Sequence, residues 1–188
     1  YALLILGLCA QLSIQQGYSA PARSSLLALP QPFAMVKDIG TTAYPGSSLS
    51  TGGAQYFRGA TIAGSTAFFQ AYTPDAGYEF WRSDSTQAGT FMLKDICPGA
   101  EDTFGTEFAA LGTLMLFVAD DCATGKELWA SDGTSAGTRR VKDIYAGAYS
   151  SSPENMVVVG GLLFFNAYNG SQTLVWKSDG TEAGTSSI

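Results

Sequence analysis

The chain has 188 residues and a net charge of −6, from 10 basic and 16 acidic side chains; 46% of its residues are apolar and only 14% charged. That balance is too apolar for a disordered chain, and with no basic cluster beyond Arg139 and Arg140 it argues against nucleic acid or an anionic membrane surface as partner. Histidine is absent, which excludes Ser-His-Asp triads, imidazole acid–base chemistry and His-ligated zinc or copper.

The chain opens on an apolar run, YALLILGLCA, followed by the polar and small residues QLSIQQGYSAPARSS. The run is shorter than the roughly 20 residues a membrane-spanning helix needs. It fits the core of a secretory signal peptide over residues 1–22, with Ala20, Pro21 and Ala22 in the small-x-small form of a cleavage site. No transmembrane segment is expected in the mature chain. The sequence begins at Tyr1 and stops inside a pattern at GTSSI, so a piece of a longer protein is expected.

Residues 23–188 are expected to form a partial array of repeats. Next after the leader comes FAMVKDI, residues 33–39, predicted as a lone strand, then a Gly/Ser-rich insertion over 41–53 that contains no acid. From there the chain repeats itself. The tryptophans Trp81, Trp129 and Trp176 are spaced 48 and 47 residues apart, as are the Gly-Thr pairs that start at Gly89, Gly137 and Gly184. Lys-Asp-Ile recurs with Asp38, Asp95 and Asp143 at its centre. A period of this size signals an array or a propeller. The units are approximately 54–97, 106–145 and 154–188.

Each unit reads as four strands. In the last, residues 155–159 (NMVVV) form the first strand, Gly160-Gly161 a two-residue hairpin of the kind that needs positive φ, residues 162–168 (LLFFNAY) the second and 173–178 (TLVWKS) the third. The fourth is the strand written RRVKDI at 139–144 in the preceding unit. The run VVVGGLLFF does not alternate, which predicts a sheet covered on both faces. Four antiparallel strands cannot cover themselves, so neighbouring units must do it. The fold class expected is therefore all-β, a β-propeller of four-stranded blades, with 33–39 available to complete a last blade.

The cysteines bear on this plan. Cys9 would leave with the expected leader, so Cys97 and Cys122 would remain. Each follows an even-numbered strand of neighbouring units, so both should lie at one rim. An oxidising compartment would favour a bond between them.

Recurrent residues are read first as structure. Trp81, Trp129 and Trp176 are expected to pack between units, the alternative being a stacking platform for sugar rings. Asp84, Asp132 and Asp179 precede tight turns and are expected to bind nearby backbone amides; Ser85, where the other copies have glycine, suggests strain in the first turn. Calcium is the alternative at Asp132 and Asp179, although no D-x-D-x-D loop accompanies them, and no other cofactor is expected. Asp38, Asp95 and Asp143 would point inward if their strands run through them, as hydrogen-bonded ties. The acidic pairs Asp120-Asp121 and Glu101-Asp102 have the composition of glycosidase chemistry but sit in loops. No phosphate-cradling loop occurs.

At ELWASDGTSAGT and VKDI, residues 127–138 and 141–144, the sequence resembles the ELWxxDGT-repeat family. The first copy carries Phe80 for Leu and Ser85 for Gly, and the third begins LVW. The resemblance covers about 33–188. It implies secreted or surface-exposed proteins of propeller-like fold, and no catalytic residue can be carried over. The function expected is a non-catalytic secreted or cell-surface scaffold for a protein or carbohydrate ligand. The alternative is a carboxylate-dependent glycoside hydrolase or lyase on a propeller.

Overall fold

The computed structural model describes residues 57–188, except 74, 100–102, 104 and 106. The leader expected at 1–22, the strand expected at 33–39 with Asp38, the insertion expected within 41–53 and the pair Glu101-Asp102 lie outside the described residues.

The described residues contain twelve strands and no helix. The first sheet is β1 (Phe57–Ala63), β2 (Thr66–Thr73), β3 (Gly77–Ser83) and β4 (Phe91–Lys94). The second is β5 (Phe108–Leu111), β6 (Leu114–Asp120), β7 (Lys126–Ser131) and β8 (Arg139–Lys142). The third is β9 (Glu154–Val159), β10 (Leu162–Tyr168), β11 (Thr173–Ser178) and β12 (Ser186–Ser187). In each, strands pair antiparallel in chain order. The three sheets are not closed into a ring. Their first strands converge, β1 against β5 and β5 against β9.

Local chemistry explains the meander. The first hairpin of every sheet has a two-residue loop that starts with a left-handed glycine: Gly64, Gly112 and Gly160 at φ +61°, +63° and +59°. Glycine takes this conformation without the Cβ clash that penalises other residues, and such turns match the twist of the strands they join.

The core forms where faces of successive sheets meet. Each sheet has a tryptophan face and an opposite face. On the tryptophan face of the second sheet, Met115, Phe117, Ala119 and Trp129 pack against Phe68, Phe80, Leu93 and Ile96 of the first. The rings of Phe80 and Phe117 are 4.1 Å apart. The tryptophan face of the third sheet (Leu163, Phe165, Ala167 and Trp176) packs against Leu116, Leu128, Ala130, Val141 and Ile144 of the second. Fully burying one such Leu or Phe stabilises the fold by about 1.5–3 kcal/mol. Phe69, Ala71 and Trp81 of the first sheet form a separate buried cluster with Met92.

Two expectations need correction. The uninterrupted apolar run at VVVGGLLFF predicted cover on both faces. The second sheet has it, since β6 is buried through five consecutive residues. The third does not: β10 alternates, and Val157, Val159 and Val175 are about half exposed at 54%, 59% and 49%. No described element lies on that face. The fourth strand, expected through Ile144, ends at Lys142. The amides of Ile144 and Tyr145 go to the Glu127 carboxylate rather than to β7, and the chain leaves the sheet there.

Candidate functional site

The tryptophans occupy one position of the third strand in each sheet, and all three are buried, with 5–8% of their surface exposed. Trp129 and Trp176 pack between sheets; Trp81 joins the cluster of Phe69 and Ala71. Their faces are not open to a sugar ring in this arrangement. Among the described residues no acceptor reaches their indole N–H groups.

The turn after each tryptophan is built the same way three times. In the second sheet Asp132 Oδ1 accepts from the Thr134 amide at 2.8 Å and the Thr134 hydroxyl at 2.7 Å. Thr134 Oγ1 in turn accepts from the Gly137 amide at 2.9 Å. The Thr138 hydroxyl donates to the Thr134 carbonyl at 2.7 Å and lies 2.8 Å from Ser131 Oγ, which takes the Gly133 amide. Asp84 and Asp179 make the corresponding bonds in the first and third sheets. The motif SDGTxxGT is thus a closed set of side-chain ties to its own backbone. Its second glycine is required by space rather than by φ: a Cβ on Gly137 would lie 2.1 Å from Asp132 Oδ1. Ser85, in place of the first glycine, keeps the left-handed geometry at φ 72°. The threonine hydroxyl and amide hold all three aspartates below the ordinary carboxylate range. Among the described residues no three potential metal-ligating side chains gather in one place.

The inward tie falls to a carboxylate other than the one expected. Asp95 and Asp143 are only half-buried. Asp143 Oδ2 faces Arg140 at 3.7 Å and takes a long bond of 3.5 Å from the Gly147 amide. Because β8 stops before Asp143, strand alternation does not carry its side chain into the interface. Instead Glu79 and Glu127, the first residue of the ELW signature, are fully buried. Glu127 accepts from the amides of Ile144, Tyr145 and Ser151 and from the Ser151 hydroxyl. Glu79 accepts from the Cys97 amide and the Thr103 hydroxyl. Each glutamate therefore fastens the end of its own fourth strand to the segment that leads into the next sheet. Burial pushes Glu79 up to about 7, against the opposing pull of Thr103 and the amides of Ile96 and Cys97. Burial raises Glu127 as well. The signal was legible: Glu127 stands two residues before Trp129 on one strand, so both must share the buried face. At the matching place the third sheet has Leu174, half-buried against the core.

Cys97 and Cys122 form a disulfide with Cα atoms 5.3 Å apart, which links the connector after β4 to the loop between β6 and β7. One repeat later those positions are Tyr145 and Gly170, and they too meet. Tyr145 lies so close to Gly170 that a Cβ there would stand 2.8 Å from its ring, and it stacks on Tyr149 at 4.7 Å. Asp120 and Asp121 are occupied in the loop around Cys122. Asp120 takes the Cys122 amide, and Asp121 takes the amides of Ala123 and Thr124 and the Thr124 hydroxyl. Burial works to raise Asp121, but those bonds and Arg140 hold it below its ordinary value.

Polar side chains also cross between sheets. Arg82 and Lys94 of the first sheet donate to the carbonyls of Gly133 and Thr138 in the turn of the second. Arg139 and Lys142 of the second donate to Gly180 and Thr185 in the turn of the third. The turns of the second and third sheets therefore also receive the cations of the sheet before them.

No family model matches the chain, and no curated protein matches it. Among solved structures, the computationally designed Ika8 protein is similar, with a TM-score of 0.38 and 12% identity. The match covers 67% of this chain and 34% of that one, so the chain spans about a third of the length of the protein it matches.

Proposed function

We propose that this chain is part of a β-propeller of the ELWxxDGT-repeat type, and that it is a non-catalytic scaffold, secreted or displayed at a cell surface, for a protein or carbohydrate ligand. The observation that carries the reading is the fate of the recurrent carboxylates. The two whose protonation is shifted toward neutrality, Glu79 and Glu127, are sealed from solvent and bound to backbone amides. Those on the surface turns, Asp84, Asp132 and Asp179, are bonded to their own threonines and held ionised. A glycosidase needs a carboxyl group that is both raised and within reach of substrate. Support for the propeller comes from three four-stranded sheets whose first strands converge and whose faces pack in succession. The Cys97–Cys122 bond favours an oxidising compartment.

The test pairs two assays on the full chain. It is presented to a glycan array and to immobilised surface proteins, and it is incubated with a panel of polysaccharides. Saturable binding without turnover is the expected result. Release of reducing ends from any polysaccharide would make the chain an enzyme and overturn the proposal.

A further inference from the structure

The open face of the third sheet has a counterpart on each of the other two sheets, and both counterparts are covered. In the first sheet this face presents Phe68, Phe80 and Leu93, and in the second Leu116, Leu128 and Val141. Both are covered by the tryptophan face of the following sheet. At the same places the third sheet presents Phe164, Val175 and Ile188, joined by Val157 and Val159 from β9. Val175 is 49% and Ile188 72% exposed. A contiguous apolar sheet face left in water is a mark of an interaction surface.

The polar partner is present too. Arg82, one residue after Trp81, donates to the turn of the second sheet. Lys177, one residue after Trp176, occupies the matching position and is exposed. It pairs with Phe164 across the strands and so shares the open face.

We propose that this face is the seat of a further four-stranded unit of the same repeat type. That unit would present an aromatic-x-Ala strand and a tryptophan to Phe164, Val175 and Ile188, and turn carbonyls to Lys177. Such a unit would continue two existing interfaces of the same composition and polarity. A second copy of this chain does not meet the requirement. Its own tryptophan face is already buried, with Phe69, Ala71 and Trp81 at 0%, 4% and 8% exposure. A further unit here rests on the propeller arrangement proposed above and not on the ligand-binding role.

The test compares the chain carrying Val175→Cys with the same variant extended, after Ile188, by a second copy of residues 142–188. That extension continues the repeat in register. Thiol modification at position 175 should be fast in the chain itself and slower by more than about tenfold in the extended chain, because it then waits on local opening. Replacing the added copy's tryptophan with alanine should restore fast modification. Leu174 offers no carboxylate to the added connector, so a second extended version carries Leu174→Glu, and hydrogen exchange of the β11 amides reads cover independently of the thiol. Equal modification and exchange rates in the chain and both extended versions would overturn the proposal. So would protection in the unextended chain that grows with its concentration, which would make a second copy the occupant.

Discussion

The second and third sheets are copies of one pattern with different surroundings. Phe117 and Leu116 are neighbours on β6, point to opposite faces and are both fully buried. Their counterparts Phe165 and Phe164 on β10 differ: Phe165 is buried and Phe164 is only partly so. The second sheet also keeps Glu127 and Cys122, which fasten it to its connectors, where the third has Leu174 and Gly170. Strand formation survives the loss of one covered face, since β9 to β11 still pair antiparallel, with one register shift between Phe164 and Asn166. What a second covering neighbour removes is the alternation of burial, so cover is a property of the stack and not of the single sheet.

Core truncation should separate the two sheets most. Phe117→Ala is expected to cost about 3–5 kcal/mol, as for a large buried side chain with little room to collapse. Phe164→Ala on the open face should cost a small fraction of that. Denaturant unfolding of both variants checks the difference, and equal losses would mean that the third sheet's open face is covered in solution.

Protonation of the buried glutamates comes next. Glu79 has a folded-state value of about 7 against 4.5 when free. Between these limits the folded chain holds a proton that the unfolded chain has released, so its contribution is complete below pH 4.5 and disappears as pH rises through 7. The span corresponds to ~3 kcal/mol at most. Midpoints of urea unfolding from pH 4.5 to 8 should show this fall, and Glu79→Gln should reduce it, leaving the part of the same sign that Glu127 contributes. The third sheet, with Leu174 at that position, has no such group to titrate.

The disulfide should rank beside it. Cys97 and Cys122 close a loop of 25 residues, and replacing both with serine should cost about 3 kcal/mol. Tyr145→Ala, which removes the aromatic contact at the corresponding place in the next repeat, should cost less. Thermal unfolding of the two variants gives the comparison directly.

The smallest effect is a gain. Ser85 holds a left-handed conformation where the second and third sheets have Gly133 and Gly180. Ser85→Gly should stabilise the chain by up to about 1 kcal/mol, because a residue with a Cβ pays roughly 1–2 kcal/mol there and glycine returns part of that as unfolded-state entropy. Scanning calorimetry of the variant checks the sign.

Much of this was readable in the residues. The 47–48-residue spacing of Trp81, Trp129 and Trp176 gives the number of units, and the Gly-Gly and SDGT turns give their strand boundaries. On the third sheet the second and third strands fall where the pattern puts them. These features are local: a turn's φ, an Asp reaching an amide two residues on, and a period of two along a strand are all fixed by near neighbours in the chain. Tertiary structure decided the rest. It made Glu127, rather than Asp143, the buried tie, because the amides that end β8 bind that glutamate across a separation of 17 and 18 residues. It covered Leu128 and left Val175 open, although both sit one residue before a tryptophan. Sequence encodes which faces are apolar; only the arrangement of whole sheets determines which of them meet a partner, because burial is shared between surfaces far apart in the chain.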